Sequence, residues 1–200
     1  MKFRKGFVSN SSSSSFVIAI PKDTVIDFGA VMTIMFPGPD DIGKVFGHYS
    51  DTNLGTAEAA EIVTRDLRDK DAFVNFDETH SEDGEQSETN FEQAIGGYFY
   101  SDGVPEFFRE VIAAKPDWSD HFDKIDYKDR EAWWAANESY NKANGLWVAQ
   151  MREVVAKHWG DKDLYVIEYG DDYTIGSIME HGGVFDSMIE RGIAMKISHH

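Results

Sequence analysis

The side chains best suited to chemistry gather near the C-terminal end of this 200-residue chain. Asp171 and Asp172 are adjacent carboxylates, Glu180 and His181 follow, and Ser198-His199-His200 is the last tripeptide. Imidazoles and carboxylates are suitable ligands for first-row divalent metals. A final strand returning beside Asp171 and Asp172 would bring Glu180, His181, His199 and His200 toward one ion. Neighbouring side chains on an extended strand point to opposite faces, so His199 and His200 do not both reach it. The plainer expectation for the terminal pair is a solvated chain end or the remnant of a purification tag. For His181 it is a loop position ahead of Gly182-Gly183.

Tyr169-Gly170-Asp171-Asp172, set between two apolar stretches, resembles the metal-binding hairpin of RNA-dependent polymerases and reverse transcriptases. In those enzymes adjacent carboxylates at a hairpin tip hold the Mg²⁺ ions of phosphoryl transfer. The resemblance covers about ten residues. It implies a second aspartate motif for which Asp23 and Asp27 are poor candidates, and basic surfaces that this acidic chain does not offer. A Gly-Asp turn accounts for the tetrapeptide as well, because both residue types tolerate turn backbone angles. Residues 77–90 contain no apolar side chain and invite a calcium-loop alignment with Gly84 at the sixth position. That alignment puts Thr79 first and Asn90 twelfth, whereas an EF-hand needs an acidic first ligand and a closing bidentate Glu. The stretch reads instead as an exposed acidic loop. A sharper alternative is mimicry of nucleic-acid phosphates against a basic partner.

Two further groups suit binding rather than catalysis. Lys2, Arg4 and Lys5 precede the run Ser11, Ser12, Ser13, Ser14 and Ser15, and residues 1–22 hold four basic side chains and no acid. The serine run reads as a linker, as an anion site of hydroxyls and backbone N–H groups, or as a segment recognised by another protein. It lacks the glycines and following helix of a phosphate loop. Trp133 and Trp134 are neighbours on a helical pattern, so both cannot face the same core; one of them marks a protein contact.

The elements that must position these groups follow from periodicity. Residues 16–20 form an apolar β-type run stopped by Pro21, a buried strand. Residues 24–36 carry helical spacing and end at Pro37-Gly38-Pro39. An amphipathic helix is expected over 56–70 with Thr56 as its cap, and further helices over 90–98 and 105–115. The three- and four-residue steps over 129–159 are the strongest helical pattern, with Asn144-Gly145 a place to split it. Period two over 164–169 and 173–179 predicts a hairpin turning at Gly170-Asp171-Asp172. Alternation over 193–198 predicts a half-buried final strand. Strands at both ends with helices between give an α+β fold, expected as one domain over 1–200 with a mostly antiparallel sheet.

Composition narrows the function classes. Thirty-six acids against 19 bases give a net charge of −17, and there is no cysteine. Disulfide scaffolds, thiolate zinc sites and thiol catalysis are thereby excluded. The acidity argues against general binding of nucleic acid or anionic membrane. No apolar run approaches a membrane span. The serines occupy the place of a secretory apolar stretch, so the N-terminal segment is expected to stay in the mature protein. Charge is unevenly spread: residues 71–110 carry net −10, while residues 1–22 carry net +4.

The string from Arg4 to Val17, Arg-Lys-Gly-Phe-Val-Ser-Asn followed by five serines and Phe-Val, resembles the opening of a group of uncharacterised bacteriophage and prophage proteins. The match spans about fourteen residues and brings no catalytic residues with it. It implies a phage setting, in the virion or the host cytoplasm. The expectation is therefore a non-enzymatic phage protein acting through contacts with other phage proteins or itself. No cofactor, membrane or nucleic acid is expected. The rivals are a small enzyme using a divalent metal at Asp171, Asp172, Glu180, His181, His199 and His200, and an acidic nucleic-acid mimic.

Overall fold

The computed structural model describes residues 13–38, 43–47, 53–70, 72, 103–123, 125–126, 128–170 and 174–198. Lys2, Arg4, Lys5, Ser11, Ser12, the 77–90 loop, the expected 90–98 helix, Asp171, Asp172, His199 and His200 lie outside them. The chain divides into two compact units, Met1–Pro105 with Lys162–His200, and Glu106–Asp161.

The first unit is built on a three-stranded antiparallel sheet in the order β4-β1-β5, with β1 Ser13–Pro21, β4 Lys162–Gly170 and β5 Ala194–Ser198. Ser13 pairs with Gly170 and Pro21 with Lys162, while Ile18 pairs with Ala194 on the other side. The ends of the sequence thus meet in one sheet, as the α+β reading requires. Strand β1 is central, and Phe16, Val17, Ile18, Ala19 and Ile20 are all buried. A strand covered on both faces has no need to alternate, which is why its sequence is a continuous apolar run. Proline suits its last position because it donates no ladder hydrogen bond.

One sheet face carries four helices: α1 Phe28–Met35, α2 Thr56–Arg68, α6 Thr174–His181 and α7 Val184–Glu190. Phe16, Ile18, Ile20, Ile167 and Tyr169 meet Val31, Met35, Ala60, Val63, Leu67, Ile178, Phe185 and Met188 in a single core. Phe16 and Phe185 stack with centroids 3.5 Å apart. Each such fully buried side chain stabilises the fold by about 1.5–3 kcal/mol. A two-stranded ribbon, β2 Lys44–Phe46 with β3 Asn53–Gly55, lies beside them.

In the second unit α3 Glu106–Ala113 and the short α4 Trp118–Phe122 pack on the 30-residue α5 Arg130–Trp159. Asp129 caps α5 by accepting from Ala132 N at 3.0 Å. Trp147 is buried and its Nε1–H donates to Val111 O at 2.7 Å, tying α5 to α3. Phe108 packs edge-on to Trp159 at 5.0 Å, and Phe107 stacks on His158 at 4.1 Å.

Four local expectations are corrected. The cap of α2 is Gly55, and Thr56 is the first helical residue. Its hydroxyl is drawn away to accept from Gly43 N at 3.3 Å. Helix α5 runs unbroken through Asn144-Gly145, because Gly145 is exposed with open space around it and the buried Trp147, Met151, Val155 and Trp159 hold the following turns. A single interior glycine costs only about 1 kcal/mol.

The second arm of the expected hairpin is helical from Thr174 onward. Ile175, Ile178 and Met179 satisfy helical spacing, and Gly176, Ser177, Ile178 and Met179 are buried in succession, which alternation cannot do. Close approach selects the glycine here, since a Cβ on Gly176 would overlap the Gly170 carbonyl. Strand β5 is not half-buried either: Ala194 and Met195 are both fully buried, on opposite faces. Between α6 and α7, Gly183 takes φ of 74°, a left-handed turn that favours glycine.

Candidate interaction surface

The predicted metal ligands are not assembled by the described residues. Glu180 lies on α6 with its side chain 6% exposed, and its Oε1 is 2.6 Å from Nζ of Lys196 on β5, itself 17% exposed. The Glu180 carboxylate is thus committed to a local counter-charge, which the sequence reading did not anticipate. His181 ends α6 and is exposed. Among the described residues no group of three or more His, Asp or Glu side chains is placed to hold a metal ion. No helix among them is long and apolar enough to cross a membrane.

Ser13, Ser14 and Ser15 open β1 and pair with Gly170, Tyr169 and Glu168. The second half of the serine run is therefore strand, and its backbone serves the sheet ladder in place of a linker or an anion loop. Behind it, Tyr169 is buried, and its hydroxyl donates to Asp66 Oδ2 at 3.1 Å. Burial and the Asp66 charge push the phenol far above its ordinary range. The tyrosine of the Tyr-Gly-Asp-Asp string is thus a bolt between β4 and α2. An open cavity of about 250 Å³ lies between α1 and α2, lined by Phe28, Glu61, Thr64, Arg65, Arg68 and Asp69. Its two guanidiniums are engaged, Arg65 by Asp66 and Arg68 by the Ile26 carbonyl at 2.7 Å.

The most distinctive surface belongs to α4 and α5. Asp117 caps α4 by accepting from Ser119 N at 2.9 Å. Trp118 then stacks on Phe122, one helical turn on, at 3.7 Å. Both rings meet Tyr140 of α5 edge-on, at 5.1 and 6.5 Å, and His121 meets it at 5.6 Å. Phe122 lies 5.8 Å from Trp133, and Trp133 lies 5.4 Å from Trp134, nearly perpendicular to it. Six rings thus form one connected group. Trp118 remains 48% exposed and Trp134 64% exposed, while Trp133 is half-buried. The two adjacent tryptophans thus differ in exposure, with Trp134 facing outward.

The same stretch of chain is also acidic. Asp117, Asp120, Asp123, Asp126 and Asp129 recur every third residue, and all are exposed. The Ser119 N–H and hydroxyl hold the Asp117 carboxyl below the usual carboxylate range, so it is anionic at neutral pH. Residues 117–131 carry six acids against Lys124, Lys128 and Arg130. The five tryptophans, Trp118 included, could on sequence alone form a stacking surface, but the sequence singled out only Trp133 and Trp134 for a contact and did not join Phe122, Tyr140 or the aspartate series to them. The three-residue aspartate period was a visible signal, whereas the ring contacts between α4 and α5 depend on packing. No protein-family model matches the chain, and no curated protein or solved structure shows significant similarity to it.

Proposed function

We propose that this chain is a non-enzymatic phage protein, virion-associated or accessory, that works through protein–protein contacts made by the aromatic face of α4 and α5. The observation that carries the reading is the exposure of Trp118 and Trp134 within a linked ring cluster. Tryptophan buries a large area at low conformational cost and dominates interface energetics where it is found. Rings already held by Phe122, Tyr140 and Trp133 lose little further freedom on docking, so the face is pre-organised. The phage setting rests on the N-terminal string alone.

Mass spectrometry of purified particles, together with affinity capture from infected cells, tests this. The wild-type chain is expected in virions or in a defined complex, and W118A/W134A is expected to be lost from both. Absence from particles, with a chain that stays alone in infected cells, would refute the reading.

A further inference from the structure

The partner of this face can be narrowed by charge, on the premise that the face is a contact surface. The chain carries −17, so two copies repel one another unless the contact brings opposite charges together. Apposing two copies through α4 and α5 would bring together two stretches that each carry six acids against three bases over residues 117–131. The most basic stretch of the chain is the one ahead of β1, where Lys2, Arg4 and Lys5 stand among Phe3 and Phe7 with no acid. Residues 1–12 precede β1, and a stretch of that length can span up to about 40 Å.

We propose that the aromatic face of α4 and α5 receives the basic segment 1–12 of a second copy of this chain. Trp118 and Trp134 offer ring faces to lysine and arginine side chains, and tryptophan is the preferred partner of such cations. The exposed aspartates of residues 117–129 supply the counter-charge. Phe3 and Phe7 add apolar area that extends the ring cluster. The contact is heterologous, a head on a body, so two copies can exchange segments and close a dimer. Successive copies can instead link in rings or chains.

Sedimentation velocity of the full chain from about 1 to 200 μM, at 50 and 500 mM NaCl, tests the inference. Self-association is expected at low salt and weakens at high salt, because exposed charges are screened over a few ångströms. Both K2E/R4E/K5E and W118A/W134A are expected to weaken it at least tenfold, with far-UV circular dichroism unchanged. A synthetic peptide of residues 1–12 is expected to dissociate the assembly and shift tryptophan emission. All five tryptophans lie in 118–159, so that emission reports on this unit.

A monomer at every concentration would overturn the proposal. So would association that survives K2E/R4E/K5E, since the head would then play no part. A monomer whose capture of another phage protein still depends on Trp118 and Trp134 would remove this inference and leave the contact-face reading intact.

Discussion

Replacing Lys196 with methionine isolates one buried interaction. The substitution keeps an unbranched stem of similar volume on β5 and removes only the ammonium. Glu180 then keeps a carboxylate 6% exposed without the partner that sat 2.6 Å away. Breaking one side of a buried ion pair costs about 3–5 kcal/mol. Lys196 is 17% exposed, so water reaches the site and the expected loss is the lower value, about 3 kcal/mol. An exit by protonation sets a ceiling, since neutralising an ordinary glutamate at pH 7 costs about 4 kcal/mol. The ammonium also stands 5.9 Å from the Phe16 ring centroid, a smaller contribution. For a chain of this size the midpoint should fall by about 6–12 °C.

Urea unfolding followed by far-UV circular dichroism measures the loss, and E180Q with E180Q/K196M completes a double-mutant cycle. The double variant buries no charge and should recover about 1.5 kcal/mol or more over the sum of the singles. A loss under about 1 kcal/mol for K196M, or strict additivity in the cycle, would refute the assignment of this pair as a structural lock between α6 and β5.

Three further outcomes are expected. Tyr169→Phe removes the hydroxyl that donates to Asp66 and should destabilise by about 1.5 kcal/mol in the same assay. Because the folded phenol is raised, its stabilisation is complete below about pH 10 and is lost as pH climbs above that, where the unfolded chain releases the proton first. Tyr165 is raised as well, so an ultraviolet titration should show one late-ionising tyrosine more in wild type than in Y169F before unfolding. Gly176→Ala forces a Cβ onto the Gly170 carbonyl and should cost about 2 kcal/mol or more, read from the urea midpoint, despite alanine's better helix propensity. Trp147→Phe loses the Nε1–H bond to the Val111 carbonyl and some packing, about 2 kcal/mol, whereas the 64% exposed Trp134→Ala should change stability by under about 0.5 kcal/mol.

Much of the fold was legible because its signals are local. The continuous run Phe16 to Ile20 announced a strand covered on both faces, and Asp129 ahead of a long three-four pattern announced α5. Misreadings fell where two periods agreed with the same residues. Tyr173, Ile175 and Met179 alternate, yet Ile175, Ile178 and Met179 also fit one helical face; packing of Gly176 against β4 decided for the helix. The half-burial expected of the last strand failed because small Ala194 and ion-paired Lys196 occupy positions that look polar or neutral in sequence.

The candidate surface shows the same boundary. Adjacency alone required Trp133 and Trp134 to face different ways, since neighbouring helical residues are about 100° apart. Which of them faces outward, and that Trp118, Phe122 and Tyr140 join them, depended on α4 folding onto α5. Charge arithmetic likewise showed an acidic body and a basic head without any coordinates. Only the folded chain assigned individual charges, committing Glu180 to Lys196 and leaving five aspartates of 117–129 exposed. The physical reason is range. Periodicity, capping and net charge are properties of neighbours along the chain. Ion pairing and ring stacking depend on distances across it, and those exist only once the hydrophobic core has closed.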